Sequence, residues 1–112
     1  MTQLAGITFR AISNSPNGAL NSQTEMRFTA DDGVVVGSYS GGSITVGHVL
    51  AKHVGDDKLE MLYQGANALG EIQAGRAVAR LESRPDGRLL MHLDWQWFTG
   101  DRSSGQSEWT SI

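Results

Sequence analysis

The stretch Leu89 to Gly100, reading LLMHLDWQWFTG, constrains the fold more than any other part of the chain. It is the most apolar run, and it holds two of the three tryptophans. Alternate side chains of a β-strand point to opposite faces. One face then carries Leu89, Met91, Leu93, Trp95 and Trp97. The stretch therefore predicts a strand whose tryptophan face is turned to the interior of a sheet.

The rest of the chain also divides into short strand-like runs separated by turn signals. Asp32-Gly33 and Asp86-Gly87 are Asp-Gly pairs, which accept the positive φ of tight turns, and Asn14 to Gly18 is dense in turn-forming residues. No run of ten or more residues carries a helical stripe, so parallel β-α-β units are not expected. The other predicted strands are Ile7–Ser13, Ser22–Ala30, Val34–Ser40, Ser43–Val54, Lys58–Gly65, Glu71–Glu82 and Gln106–Ile112.

Because side chains alternate between the two faces of a strand, the positions of the apolar residues also predict which side chains face inward. The sixth strand is the exception. There the inward set is either Ile72, Ala74, Arg76 and Val78 or the opposite set, because both faces are similarly apolar. The predicted inward sets of the other strands are Ile7, Phe9 and Ala11; Thr24, Met26, Phe28 and Ala30; Ile44, Val46, His48 and Leu50; and Leu59, Met61 and Tyr63.

Eight strands with short connections predict an all-β fold in which sequence neighbours pair antiparallel. Closing such a meander removes both sheet edges and buries its apolar face. The predicted architecture is an eight-stranded antiparallel up-and-down barrel of the lipocalin or calycin kind, with residues 1–112 forming a single domain. A two-sheet sandwich is the alternative, although it usually needs longer crossover connections.

Composition excludes several function classes. The net charge is −3 and the nine basic residues are scattered, which argues against a nucleic-acid partner. The absence of cysteine excludes thiolate metal sites, and the spacing of His48, His53 and His92 predicts no metal site. No cofactor is predicted. No signal peptide or membrane-spanning run is visible, so no membrane partner and a cytoplasmic location are expected.

Several motifs carry a resemblance along nearly the whole chain. They include ISNSPNG, Tyr39 to Ile44 with Gly47, Met61 to Gln64 and the ending WQW-x-x-GD-x-x-x-G-x-S from Trp95. In these the chain resembles a family of short bacterial proteins labelled "n-acetylglutamate synthase". It departs from that family at Leu93 and Asp94, and in ending without an acidic tail. The resemblance implies N-acetyltransferase activity. However, the sequence lacks the glycine-rich motif that cradles coenzyme A at a helix N-terminus.

Candidate binding residues lie on the predicted inner face of the barrel. The two tryptophans could stack a flat ligand or fill the core. Polar residues on an apolar face must pair with each other or with a ligand, and an inward Arg76 would suit an anion. One step of register would instead place Arg76 in solvent. The predicted ligand-binding residues are Trp95, Trp97, Tyr63, Tyr39, His48 and Arg76.

The predicted function is binding of a small molecule, whose identity the sequence does not reveal, in the lumen of the barrel. Catalytic residues are not assigned: Asp94, Glu60 and Glu108 are carboxylates on strands, but nothing shows that two of them meet. The alternatives are the acetyltransferase that the resemblance implies and a non-catalytic interaction module with a packed core. His92, Phe98 and Leu90, on the outward face of the tryptophan strand, suggest a homodimer contact.

Overall fold

A computed structural model describes residues 3–14 and 23–112. Eight strands account for most of these residues, and no helix occurs among them. None of the described segments is a helix long and apolar enough to cross a membrane. The strands are β1 (Thr8–Asn14), β2 (Glu25–Asp32), β3 (Val34–Gly41), β4 (Ile44–Gly55), β5 (Lys58–Asn67), β6 (Ile72–Ser83), β7 (Leu89–Trp97) and β8 (Ser104–Ser111).

The strands form a closed barrel in the order β1 to β8, with every neighbouring pair antiparallel. Closure is made by β1 and β8, in a register that places Phe9 opposite Ser111 and Ala11 opposite Trp109. Because each strand pairs on both sides, the sheet has no free edge. The prediction of an eight-stranded antiparallel up-and-down barrel is confirmed.

Tight turns occur where the Asp-Gly pairs predict them. Gly33 and Gly87 have φ values of 81° and 86°, which an L-residue adopts only with strain. The Gly87 amide donates to the Arg84 carbonyl at 3.0 Å and closes the β6–β7 turn. The predicted turn at Asn14 to Gly18 lies, beyond Asn14, outside the described residues.

The two ends of the barrel differ. At one end lie the short β2–β3, β4–β5 and β6–β7 connections and the segment Gln3–Ile7, whose Leu4 is fully buried in the core cluster. We call this the plugged end. The opposite end carries the connections that follow β1, β3, β5 and β7, and we call it the loop end. The lumen is therefore covered at the plugged end.

The inward faces of β1, β5 and β7 are as predicted, those of β2 and β4 differ, and β6 takes one of the two sets that its sequence leaves open. In β2 the register shifts between Phe28 and Ala30, and this irregularity leaves Ala30 exposed. In β6 the inward residues are the alternative set, Gly75, Ala77, Ala79 and Leu81. In β4 the predicted face is wrong after Ile44: Val46, His48 and Leu50 are exposed, and Gly47, Val49 and Ala51 are buried. A register shift between Ile44 and Val46 produces this change of face.

Candidate functional site

Four aromatic rings lie on the inner wall towards the loop end of the barrel. We call Tyr39, Tyr63, Trp97 and Trp95 the aromatic belt. Neighbouring rings meet edge to face, with centroids 6.3 Å apart for Tyr39 and Tyr63 and 5.3 Å for Tyr63 and Trp97. Trp95 and Trp97 are tilted at 56° with centroids 6.3 Å apart. These are favourable geometries for aromatic pairs, so the four rings hold one another in place.

Glycines on the neighbouring strands make room for the tyrosines of the belt. A Cβ at Gly47 would stand 2.5 Å from both Cε atoms of Tyr39, and one at Gly65 would stand 2.7 Å from its hydroxyl oxygen. A Cβ at Gly75 would stand 2.6 Å from the Tyr63 hydroxyl. Tyr39 therefore lies over glycines of β4 and β5, and Tyr63 lies over a glycine of β6.

The belt carries hydrogen-bond donors that lack acceptors. Trp95 is 6% exposed, and its buried Nε1–H has no partner among the residues that the structure describes. None of those residues bonds the Tyr39 hydroxyl either. The Tyr63 hydroxyl, in contrast, donates to the Gln96 carbonyl at 3.4 Å. Burial raises the pKa of Tyr39 to about 12, so this phenol is a neutral donor at physiological pH.

Charged side chains are absent from the described part of the inner wall near the belt. Apart from the side chains of Asp31 and His53 at the plugged end, the buried polar residues of the described chain are Thr24 and Ser107. The Ser107 hydroxyl accepts from the Trp109 indole at 2.9 Å, and the Thr24 hydroxyl donates to the Gly41 carbonyl at 3.2 Å. The buried surface offered to a ligand is therefore apolar with neutral donors.

Two of the six predicted ligand-binding residues do not face the lumen. His48 is exposed because Gly47, not His48, faces the ring of Tyr39. Arg76 is exposed because the inward register of β6 runs through Gly75 and Ala77, and its guanidinium donates to the Gln96 side chain at 3.3 Å on the outer surface. Of the two placements that the sequence leaves open for Arg76, the structure shows the one in solvent, so the assignment of Arg76 to the lumen is corrected. Tyr39, Tyr63, Trp95 and Trp97 are brought together.

The plugged end is held by a small polar cluster. The Leu4 amide donates to Asp31 Oδ2 at 2.9 Å, and the same oxygen lies 2.9 Å from His53 Nε2. Burial opposes ionisation of Asp31, but the hydrogen bonds from His53 and the Leu4 amide outweigh it and hold the pKa of Asp31 below its ordinary value. This cluster fixes the segment that covers one mouth of the barrel.

Of the three residues predicted to form an outward contact on the tryptophan strand, Phe98 is 49% exposed. Leu90 is only 9% exposed. His92 Nε2 lies 3.2 Å from Glu82 Oε1, so its ring is engaged in a polar cluster.

No group of three or more metal-ligating side chains occurs in the described residues. A groove of about 1130 Å³ is lined by residues of β3 to β8, among them Leu50, Leu62 and Trp95.

The fold and the belt define a class of protein: closed, eight-stranded up-and-down barrels of the calycin kind, whose lumen either is packed or holds one small ligand. Within that class, the family described as "Avidin-like protein" matches residues 2–112, and the chain belongs to this avidin-like family. Neither curated proteins nor solved structures give a significant match.

The n-acetylglutamate synthase label receives no support from the fold or from the family. Acetyltransferases of that kind hold pyrophosphate at a helix N-terminus, and the described residues contain no helix. Sequence reasoning also missed the glycines that seat the belt. The available signal was a glycine inside each of three consecutive strands, at Gly47, Gly65 and Gly75, which is unusual unless another group approaches the backbone closely.

Proposed function

We propose that the protein binds a small molecule in the barrel lumen, against the aromatic belt, and that the Trp95 indole donates a hydrogen bond to it. One observation carries the proposal: the Trp95 Nε1–H is buried inside the barrel without an acceptor among the described residues. Membership of the avidin-like family agrees with it, because streptavidin is a barrel that holds biotin.

The energetic argument rests on the cost of that unpartnered donor. Leaving a buried polar group unsatisfied costs about 1–3 kcal/mol, and native proteins retain few such groups. The indole of Trp109, deeper in the same core, avoids this cost by donating to Ser107. Trp95 has no corresponding partner in the described chain. A ligand that supplies an acceptor atom to this indole would therefore remove the free-energy cost of the unpaired donor.

The surroundings of Trp95 select the chemical class of ligand. Its neighbours across the sheet are Ala77 and Gly105, which are both small. Because no charged side chain lines the described part of this wall, an ionised group would be buried without a counter-charge. The ligand that fits is uncharged in its buried part, with an apolar or flat body and a carbonyl-like acceptor.

Native mass spectrometry of gently purified protein tests this proposal. We expect a stoichiometric extra mass on the 12.1 kDa chain, or, from the ligand-free chain, a mass shift on addition of biotin as one defined probe. Trp95→Phe keeps a ring but removes the donor, and it should weaken binding by about tenfold to a hundredfold. Arg76→Ala is the matched control: it removes a polar side chain on the outer surface and should leave binding unchanged.

Two results would refute the lumen site. A Trp95→Phe variant that binds as tightly as the parent would show that the indole donor does not recognise the ligand. A ligand lost on Arg76→Ala but kept on Trp95→Phe would place the binding site outside the barrel. The bacterial origin and cytoplasmic location remain predictions from the sequence.

A further inference from the structure

The segment Gln3–Ile7 lies across the plugged end without forming a strand of its own, and we call it the strap. Leu4 inserts a fully buried side chain into the core cluster, whereas Gly6 is exposed. Two backbone hydrogen bonds join the strap to β2: the Gly6 amide donates to the Phe28 carbonyl, and the Phe28 amide donates to the Ile7 carbonyl, each at 2.9 Å. The strap is therefore attached to the barrel at a few points rather than along a strand ladder.

One carboxylate adds a side-chain attachment at the beginning of the strap. Asp31 Oδ2 accepts from the Leu4 amide at 2.9 Å and also lies 2.9 Å from His53 Nε2. The side chains of Asp31 and His53 are 6% and 12% exposed, so water competes little for these contacts. An ionised carboxylate accepts hydrogen bonds more strongly than a neutral group does. Ionised Asp31 therefore joins the strap to β2 and, through His53, to β4.

The histidine of this attachment depends on the carboxylate. Because an ionised carboxylate only accepts, His53 Nε2 must carry the proton that it donates to Asp31. The other ring nitrogen, Nδ1, is buried and has no hydrogen-bond partner among the described residues. Within that part of the chain, hydrogen bonds hold the ring only through Asp31. A change in the charge of this carboxylate therefore weakens the hold on both His53 and the strap.

The surroundings of the pair contain few other charges. Val35 of β3 lies opposite Asp31 and Leu59 of β5 lies opposite His53, and both side chains are apolar and buried. From the strap, an uncharged backbone amide faces the carboxylate. The charged residues nearest in sequence are exposed: Asp32, Lys52, Asp56, Asp57 and Lys58. Asp31 and His53 are therefore the titratable groups that face each other here.

The direction of the pH dependence follows from Asp31. Burial opposes ionisation of this carboxyl, but the hydrogen bonds from His53 and from the Leu4 amide outweigh burial and hold its pKa below the ordinary value of 3.8. A group whose folded-state pKa is lowered contributes stability above that pH, and the contribution is lost as the pH falls through the folded-state value. Acid therefore weakens the attachment.

From this geometry we propose that Asp31 is an acid-sensitive fastening of the strap: when its carboxylate takes up a proton, the strap shifts from its closed position towards an open one while the barrel stays folded. The neutral carboxyl accepts the Leu4 amide less strongly, so the two backbone bonds to β2 carry more of the attachment. The eight strands stay paired, because the strap belongs to none of them. Opening uncovers the apolar interior that Leu4 covers, and it needs no ligand at the aromatic belt.

Amide hydrogen exchange of the full-length, ¹⁵N-labelled chain, followed by NMR, tests the fastening. Protection factors are corrected for the intrinsic exchange rate and compared at about pH 6 and about pH 2.5. We expect the Gly6 and Phe28 amides to lose protection by about threefold to tenfold at the lower pH. The amides of β5, which is paired on both sides, should keep theirs.

Two variants remove parts of the fastening, and a third is the matched control. Asp31→Asn keeps an acceptor for Leu4 but does not titrate, so strap protection should be lower than in the parent at about pH 6 and should not change with pH. His53→Leu removes a donor to the carboxylate, and the pH at which strap protection is lost should rise. The control is Glu82→Gln, which removes the carboxylate of another histidine contact, that with His92 on the outer surface. It should keep the parent's pH profile.

Each of three results would contradict the acid-sensitive fastening. The first is equal protection of the Gly6 and Phe28 amides at both pH values in the parent. The second is an Asp31→Asn variant with the pH dependence of the parent. The third is a parallel loss of protection in β5, which would show that acid unfolds the whole barrel rather than opening the strap.

Discussion

Replacing Gly47 by alanine probes the structural basis of the candidate site, because it adds a single methyl group under the ring of Tyr39. The backbone at Gly47 is an ordinary strand conformation, so alanine adopts it without strain. The new Cβ would stand 2.5 Å from both Cε atoms of Tyr39, where carbon atoms normally approach to about 3.5–4.0 Å. The ring must therefore move by about 1 Å.

Tyr39 has little freedom to make that movement. Its side chain is 5% exposed, its hydroxyl lies close over Gly65, and its ring meets Tyr63 edge to face. Over-packing of a closely packed core costs about 1–3 kcal/mol. For a chain of 112 residues this corresponds to a fall in Tm of about 4–12 °C.

Urea denaturation of four variants tests this reasoning. Gly47→Ala should lower the free energy of unfolding by about 1–3 kcal/mol in the parent, but have little effect in a Tyr39→Ala background, where the obstructing ring is gone. Gly55→Ala is the control: its backbone is also unstrained, and its Cβ would meet Lys58 at an ordinary 3.6 Å. It should change stability by less than about 1 kcal/mol. Equal losses from Gly47→Ala in both backgrounds would refute the proposed seating of the ring.

Three further substitutions test the plugged end and the buried hydrogen bond between Trp109 and Ser107. Because the pKa of Asp31 is lowered from its ordinary value of 3.8, its contribution to stability is present above that pH and is lost as the pH falls through the folded-state value. Asp31→Asn should therefore be less stable than the parent at pH 7, and the difference should shrink in urea titrations at about pH 3. Leu4→Ala removes a fully buried side chain and should cost about 2–5 kcal/mol in the same assay, whereas an unchanged midpoint would show that the segment does not plug the barrel. Ser107→Ala leaves the Trp109 indole without its acceptor and should cost about 1–3 kcal/mol; no loss would show that the bond is unimportant.

The sequence predicts the barrel well where one face of a strand is much more apolar than the other. In β7 the tryptophans and leucines alternate with Asp94 and Gln96, so one face is clearly the interior. The turn positions can be predicted equally well, because Gly33 and Gly87 are the residues that adopt positive φ. These are local signals, and local rules are sufficient to interpret them.

The faces of β4 and β6 are not predictable in the same way. In β4 the more apolar alternation, through Val46 and Leu50, points outward, and the interior takes Gly47. The reason is tertiary: the ring of Tyr39, from another strand, occupies the volume that a β4 side chain would otherwise fill. The local pattern misplaces His48 in the lumen for the same reason. In β6 the interior holds alanines because Trp95 lies opposite Ala77, a pairing that no local pattern specifies.

Closure of the sheet by β1 and β8 has a consequence for how the barrel assembles. Every other strand pairs with a neighbour that is close in the chain, but Phe9 must find Ser111, about a hundred residues away. The pairing of β1 with β2 covers little more than Thr8 to Arg10, so β1 depends on β8 for much of its attachment. The seam should therefore close last during folding, after the seven strands from β2 to β8 have formed a curved open sheet. Until then both edges of that sheet are unpaired, and this intermediate is the form of the protein most exposed to edge-to-edge aggregation.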